Sequence, residues 1–207
     1  MAAPVPPRHN LRMDTTAPTE RPMRELLEHA ARKGSLVKVS RCIRDVEPIT
    51  CFVLGVGAEW TLLAWCEDHR PDGFSVVRTT DISRVRKIGG QKSLTVQVLS
   101  SRAQWPIASP QESAYLDDSR KLLASAARTH GLVVVNKERE ATDVCWVGEP
   151  LRTGRRFLTL HKVSPSARWH RKPSRFRLET ITQIGFGGHY EETLREFAGP
   201  RPSAGER

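Results

Sequence analysis

The residues with the strongest chemical character lie between 150 and 178. Arg152, Arg155, Arg156, Lys162, Arg168, Arg171, Lys172, Arg175 and Arg177 follow one another there with no acid among them, interspersed with His161, Trp169 and His170. Guanidinium and ammonium groups at this density neutralise phosphates, and each one engaged releases condensed counterions; a tryptophan in the same stretch can stack on a base. Arg152, Arg155, Arg156, Lys162, Arg168, Trp169, Arg171, Lys172 and Arg175 are therefore the candidate nucleic-acid-binding residues, with RNA or DNA as partner. The bland alternative is a solvated basic loop, because local charge is a low-specificity signal.

Other chemistry is weakly represented. Cys66-Glu67-Asp68-His69 has metal-like spacing, with Cys42 and Cys51 as recruits, but no second close pair completes a four-ligand set. Cys42, Cys51 and Cys66 fall in expected strands and Cys145 is expected in or near the core, where a free thiol acts as a small hydrophobe. No nucleophile motif or phosphate-cradling glycine loop occurs. Gly185-Phe186-Gly187-Gly188 follows a strand that ends a unit and reads as turn chemistry. The pairs Asp117-Asp118 and Glu191-Glu192 are expected on solvated helix surfaces. The expectation is a non-enzymatic protein with no catalytic residues, metal or cofactor.

The charge behind the basic stretch is uneven. The 207 residues carry 33 Lys+Arg against 23 Asp+Glu, a formal +10, and residues 101–207 hold 18 basic and 12 acidic side chains against 13 and 10 in residues 20–100. The Met1–Pro7 segment lacks the basic start and apolar core of a secretory signal, and no apolar run has the ~18 residues of a membrane span. Four cysteines without regular spacing do not make a disulfide framework. A reducing cytoplasmic setting, without a membrane, is expected.

The elements that must position these residues occur twice. RELLEHAARKGSLVKV at 24–39 and RKLLASAARTHGLVVV at 120–135 are identical at nine of sixteen positions without a gap. The correspondence extends to Val77–Ile82 against Phe176–Ile181 and to the diglycines Gly89-Gly90 and Gly187-Gly188. A separation of 96 residues is too long for a solenoid repeat, so a whole unit is duplicated. The organisation expected is a tail at 1–19, a first helix-plus-barrel repeat at 20–96, a linker at 97–112, a second repeat with a C-terminal helix at 113–199, and a tail at 200–207.

Each copy opens with a helix. Met23, Leu26, Leu27, Ala30 and Ala31 form its apolar face in the first; Tyr115, Leu116, Leu122, Leu123, Ala126 and Ala127 do so in the second, behind the capping box Ser109-Pro110-Gln111-Glu112. Strands are expected near 35–43, 49–56, 60–66, 73–79 and 82–88, and near 131–137, 143–149, 156–163, 174–179 and 181–186. Tyr190, Leu194, Phe197 and Ala198 predict a C-terminal amphipathic helix; at the equivalent place in the first copy Leu94, Val96 and Val98 alternate as a strand. A helix with five short antiparallel strands is too small for a sandwich, so the fold class expected is mainly β with helices (α+β), two duplicated helix-capped five-stranded small barrels.

That order of elements resembles the Sm-like (SH3-type) barrel over about 70 residues of each copy. Leu62-Leu63, Asp72-Gly73-Phe74, Arg78, Asp81-Ile82, Arg84-Val85 and Gly187–Glu192 are similar to short uncharacterised bacterial proteins of one barrel each, a group that carries no function over. The Asp, Asn and Arg-Gly of RNA-binding Sm proteins are not reproduced at Gly55–Glu59, Asp81–Arg84, Glu149–Gly154 or Glu179–Thr182. The functional expectation is a non-catalytic binding module contacting RNA or DNA through the second barrel. The alternative is a protein-interaction or scaffold module that docks through barrel edges and the C-terminal helix. The resemblance also implies pairing of barrels through strand edges, hiding one edge apiece.

Overall fold

The computed structural model describes residues 22–202, with only the backbone at Glu67. The tail expected at 1–19 and residues 203–207 of the one expected at 200–207 lie outside the described residues. The first half contains α1 (Met23–Lys33), β1 (Leu36–Arg41), β2 (Ile49–Val56), β3 (Trp60–Glu67), β4 (Arg70–Arg78), β5 (Ile82–Gly89) and α2 (Leu94–Ser101). The second contains α3 (Ser119–His130), β6 (Val133–Asn136), β7 (Cys145–Thr153), β8 (Phe157–Val163), β9 (Ser174–Arg177), β10 (Gln183–Phe186) and α4 (His189–Ala198). Short 3₁₀ turns at Thr79–Asp81 and Leu178–Thr180 join the last two strands of each half.

The architecture is α+β. Its strands form one antiparallel ten-stranded sheet in the order β5-β1-β2-β3-β4-β10-β6-β7-β8-β9. Each half uses the same internal order, fifth strand, then first to fourth. The ladder closes into a barrel in neither half: β4 gives its outer edge to β10 rather than to β5, with Phe74, Ser75, Val76 and Val77 opposite Phe186, Gly185, Ile184 and Gln183.

Because side chains alternate across a strand, this junction joins two cores on opposite faces. Leu63 and Val77 point to one face with Val37, Val39, Cys51 and Val53, beneath Leu27 and Ala30 of α1. Leu62 and Val76 point to the other with Val133, Val135, Leu158, Leu160, Ile184 and Phe186, beneath Leu122, Leu123 and Ala126 of α3. The inside of one half thus continues as the outside of the next. Each buried Leu or Val contributes about 1.5–3 kcal/mol relative to exposure.

The outer faces are covered too. Val96 and Leu99 of α2 pack on Leu36, Phe52 and Ala64, and Leu194 of α4 packs on Leu132, Val147 and Val163. Residues 94–101 are therefore a helix, not the alternating strand that Leu94, Val96 and Val98 suggest. Ser93 caps it by accepting from the Val96 amide at 3.4 Å, and Thr95, Val96 and Leu99 fall on one buried helical stripe. Both copies thus end in a helix.

The single helix expected behind Ser109 is also broken. Gln111–Tyr115 is a 3₁₀ segment, and α3 begins at Ser119, where Asp118 accepts hydrogen bonds from the amides of Arg120 (2.9 Å) and Lys121 (3.2 Å). This N-cap competes successfully with helix continuation. Burial is the largest single influence and opposes its ionisation, but those two amides and the Arg120 and Lys121 charges together outweigh it and hold the Asp118 carboxyl below its ordinary range. The connecting segment packs rather than hangs: the Trp105 ring lies 4.9 Å from Phe52.

Candidate anion-binding face and the junction between halves

Register gathers part of the basic stretch into a row. Arg152 lies opposite Thr159, and Thr159 opposite Arg175; farther along the same pair of strands, Phe157 lies opposite Arg177. Leu158, Leu160 and Phe176 point to the core, so these residues occupy the outer side of β7–β8–β9. A bulge between Pro150 and Arg152 sets Arg152 on that side, since one extra residue flips everything after it. The Arg175 guanidinium sits 4.3 Å from the Phe157 ring centroid, which orients it by cation–π attraction.

The remaining basic residues flank this row. Arg155 and Arg156 are exposed at the β7–β8 turn, while Arg168, Arg171 and Lys172 lie on the loop after β8, with Arg171 and Lys172 exposed. Seven residues of β8 at roughly 3.4 Å each set the two groups about 20 Å apart. Among the described residues Arg152, Arg155, Arg156, Lys162, Arg168 and Lys172 form no ion pair, while Arg177 meets Glu179 at 3.2 Å.

Trp169 is half-buried. It bridges Val163, packs beside Val147 and Leu194, lies 5.3 Å from His161, and donates from Nε1 to the Gly199 carbonyl at 3.3 Å. The buried His161 donates from Nε2 to the His170 carbonyl at 2.7 Å, tying the loop down further. Lys162 is half-buried and its carbonyl accepts from the His170 amide at 2.9 Å.

The strand register also assembles a basic group that the charge count conceals. Lys38 lies opposite Arg86 and Ser40 opposite Arg84 across β1 and β5, with Arg84 exposed. The alternation Arg84-Val85-Arg86 is the available signal, but their meeting with Lys38 depends on pairing.

At the junction, a cavity of about 490 Å³ is lined by Glu59, Arg78, Asp117, Asp118, Arg120 and Arg155, among others. Arg78 spans it, stacked 3.9 Å from the Trp60 ring, bound to Glu59 at 2.6 Å, and donating to the carbonyls of Leu178 and Ile181. Trp60 donates to Ser119 Oγ at 2.9 Å, and Asp117 accepts from the Ala58 amide. These interactions commit the charges of Arg78 and Glu59 to joining the halves.

The residues with metal or nucleophile potential are dispersed. Among the described residues no three His, Cys, Asp or Glu side chains gather as a ligand set. His69 Nδ1 shares a 2.8 Å hydrogen bond with Thr95 Oγ1, and burial pushes the Cys51 and Cys66 thiols up, away from the reactive thiolate. Cys42 departs from expectation: it lies beyond the end of β1 and is exposed. Cys145 is also exposed, at the start of β7 rather than in the core. Glu191 reverses the other expectation: it is only 9% exposed, turned inward from the first turn of α4.

No protein-family model, curated protein or solved structure matches the chain. Among the described residues no helix is long and apolar enough to cross a membrane.

Proposed function

We propose that the protein is a non-catalytic binding module that contacts the phosphate backbone of RNA or DNA through the outer side of β7–β8–β9. The observation that carries this reading is the in-register row Arg152–Thr159–Arg175, flanked by Arg155 and Arg156 at one end and by Arg168, Arg171 and Lys172 at the other. Arginines neutralised by carboxylates in ion pairs would be structural; here Arg152, Arg155, Arg156 and Arg168 have no acidic partner among the described residues. Phe157 and the half-buried Trp169 hold the cations in place, Phe157 beneath Arg175 and Trp169 as the anchor of the loop. On the same reading each half is an open, strongly bent unit of Sm-like order, supported by the repeated strand order and the matching 3₁₀ turns.

The test is titration of single-stranded RNA and duplex DNA against the wild type and an Arg152→Gln/Arg168→Gln/Lys172→Gln/Arg175→Gln variant over a range of salt. The wild type is expected to bind with affinity that falls steeply as salt rises, and the variant with a shallower slope. Equal binding by the two proteins on both nucleic acids overturns the assignment.

A further inference from the structure

A second cleft, of opposite character, lies on the outer face where β3, β4, β10, β6 and β7 meet the start of α4. Its volume is about 250 Å³, and Trp65, Asp72, Phe74, Cys145, Tyr190 and Glu191 are among its walls; no lysine or arginine is. In a chain of formal charge +10, a recess with two carboxylates, the aromatic residues Trp65 and Tyr190 and no cation stands apart from its surroundings.

In the first half Val96 precedes by three residues Leu99, which packs with Leu36; in the second Glu191 precedes by three residues Leu194, which packs with Leu132. Val96 is 3% exposed and Glu191 9%. At that spacing one helix buries a hydrocarbon and the other a carboxyl, and burial of an ionisable group costs stability unless a partner compensates it. Among the described residues no other residue donates a hydrogen bond to this carboxylate. Its Oε2 would lie 2.7 Å from a Cβ on Gly188 and Asp72 Oδ1 3.4 Å from the same point, so the two carboxylates converge over a bare glycine. Asp72 Oδ1 meanwhile accepts from the His189 amide at 2.8 Å, which fixes it.

We propose that this cleft binds a small organic cation, an amine whose ammonium sits between Glu191 and Asp72 and whose apolar part lies against Trp65 and Tyr190. Charge-assisted hydrogen bonds to carboxylates hold the ammonium, and aromatic faces add cation–π attraction. The volume lies below the roughly 300–1,000 Å³ of drug-sized pockets, which limits the ligand to a small molecule. Burial, opposed by its own amide and reinforced by the charges of Asp72 and Glu192, raises the Glu191 pKa; a cation that needs the ionised form then binds more tightly as pH rises. Cys145 of β7, His189 and Tyr190 of α4 are the other titratable groups around the carboxylates.

Calorimetric titration of the full chain with benzylamine, and with benzyl alcohol as its uncharged analogue, tests this. Saturable binding of the amine alone is expected, at least about tenfold weaker in Glu191→Gln and absent in Glu191→Val, which reproduces the side chain of the first half. Circular dichroism establishes that both variants are folded. If either is not, amide chemical shifts of the wild type decide: movement of Gly188 and Glu191 on addition of amine supports the site. No binding of the amine to the wild type, equal binding of the alcohol, unaltered affinity in the folded variants, or unmoved Gly188 and Glu191 resonances overturns it.

Discussion

Arg41 and Glu138 join the two halves by a buried two-point ion pair. Nη1 lies 2.5 Å from Oε2 and Nη2 2.7 Å from Oε1, with side-chain exposures of 2% and 8%. Thr182 Oγ1 adds a third donor to the same carboxylate at 2.7 Å, and Arg139 with Asp81 forms a second cross-half pair nearby. Burying two charges is costly, so the pair specifies the docking more than it stabilises it. Removing one partner leaves the other uncompensated. Arg41→Met or Glu138→Gln is expected to lower the unfolding free energy by about 3–5 kcal/mol, while Arg41→Met with Glu138→Leu recovers much of it. Urea denaturation of the three proteins measures this.

Glu191 makes stability depend on pH with a definite sign. Burial raises its folded pKa above the unfolded value, so the folded state favours the proton. Its adverse contribution is absent below the unfolded pKa, grows as pH rises from the unfolded to the folded one, and is complete above it. Glu191→Gln is therefore expected to match the wild type in acid and to exceed it in Tm at neutral and higher pH. Thermal melts across that range check it; a constant difference refutes the assignment.

Gly73 holds α4 against β4. Its φ is +68°, and a Cβ there would lie 2.5 Å from the Gly188 amide nitrogen. Gly73→Ala is expected to cost at least about 1–2 kcal/mol from the left-handed backbone alone, and the clash with Gly188 adds to it. Hydrogen exchange should show the added opening concentrated in α4.

The basic face predicts a number. Each cation withdrawn from a phosphate should reduce the salt slope of duplex DNA binding by about 0.9. Neutralising the four cations of the quadruple variant, if all reach phosphates, should therefore lower the slope by roughly three to four, about uniformly across sequences. An equal drop in affinity at all sequences distinguishes backbone binding from base reading.

The connecting segment predicts an association. Arg102 is exposed just after α2, so tryptic cleavage there is expected to leave the two fragments co-eluting in size-exclusion chromatography, held by β4 and β10. Separation into two folded halves contradicts the continuous sheet.

The duplication, the two opening helices and most strands are legible in the sequence because they rest on local signals. Leu27, Ala30, Val37 and Val39 recur as Leu123, Ala126, Val133 and Val135, and in both sets the residues reach the core. The features that local signals miss depend on partners distant in sequence. Leu94, Val96 and Val98 carry a period of two, yet Ser93 and the apolar surface of Leu36 and Phe52 select the helix. Glu191 resembles its solvated neighbour Glu192 because its inward side is defined by β10 and β6. The nine-residue basic set looks like one surface along the chain, but the register divides it into a row and two flanks. Trp169 turns to the protein because Val147, Val163, Leu194 and the Gly199 carbonyl, most of them distant in sequence, hold it there.

The position of β10 has a consequence for how the chain reaches this state. It is the last strand in sequence, yet it lies in the middle of the sheet, between β4 and β6. Until it inserts, β4 and β6 both present open edges, with Phe74, Val76, Val133 and Val135 uncovered along them. Pairing over about a hundred residues is slow to form, and unpaired apolar edges are sites of association with other chains. The period before β10 arrives is therefore when this protein is most prone to aggregate, and conditions that retard that single insertion should govern its yield on refolding.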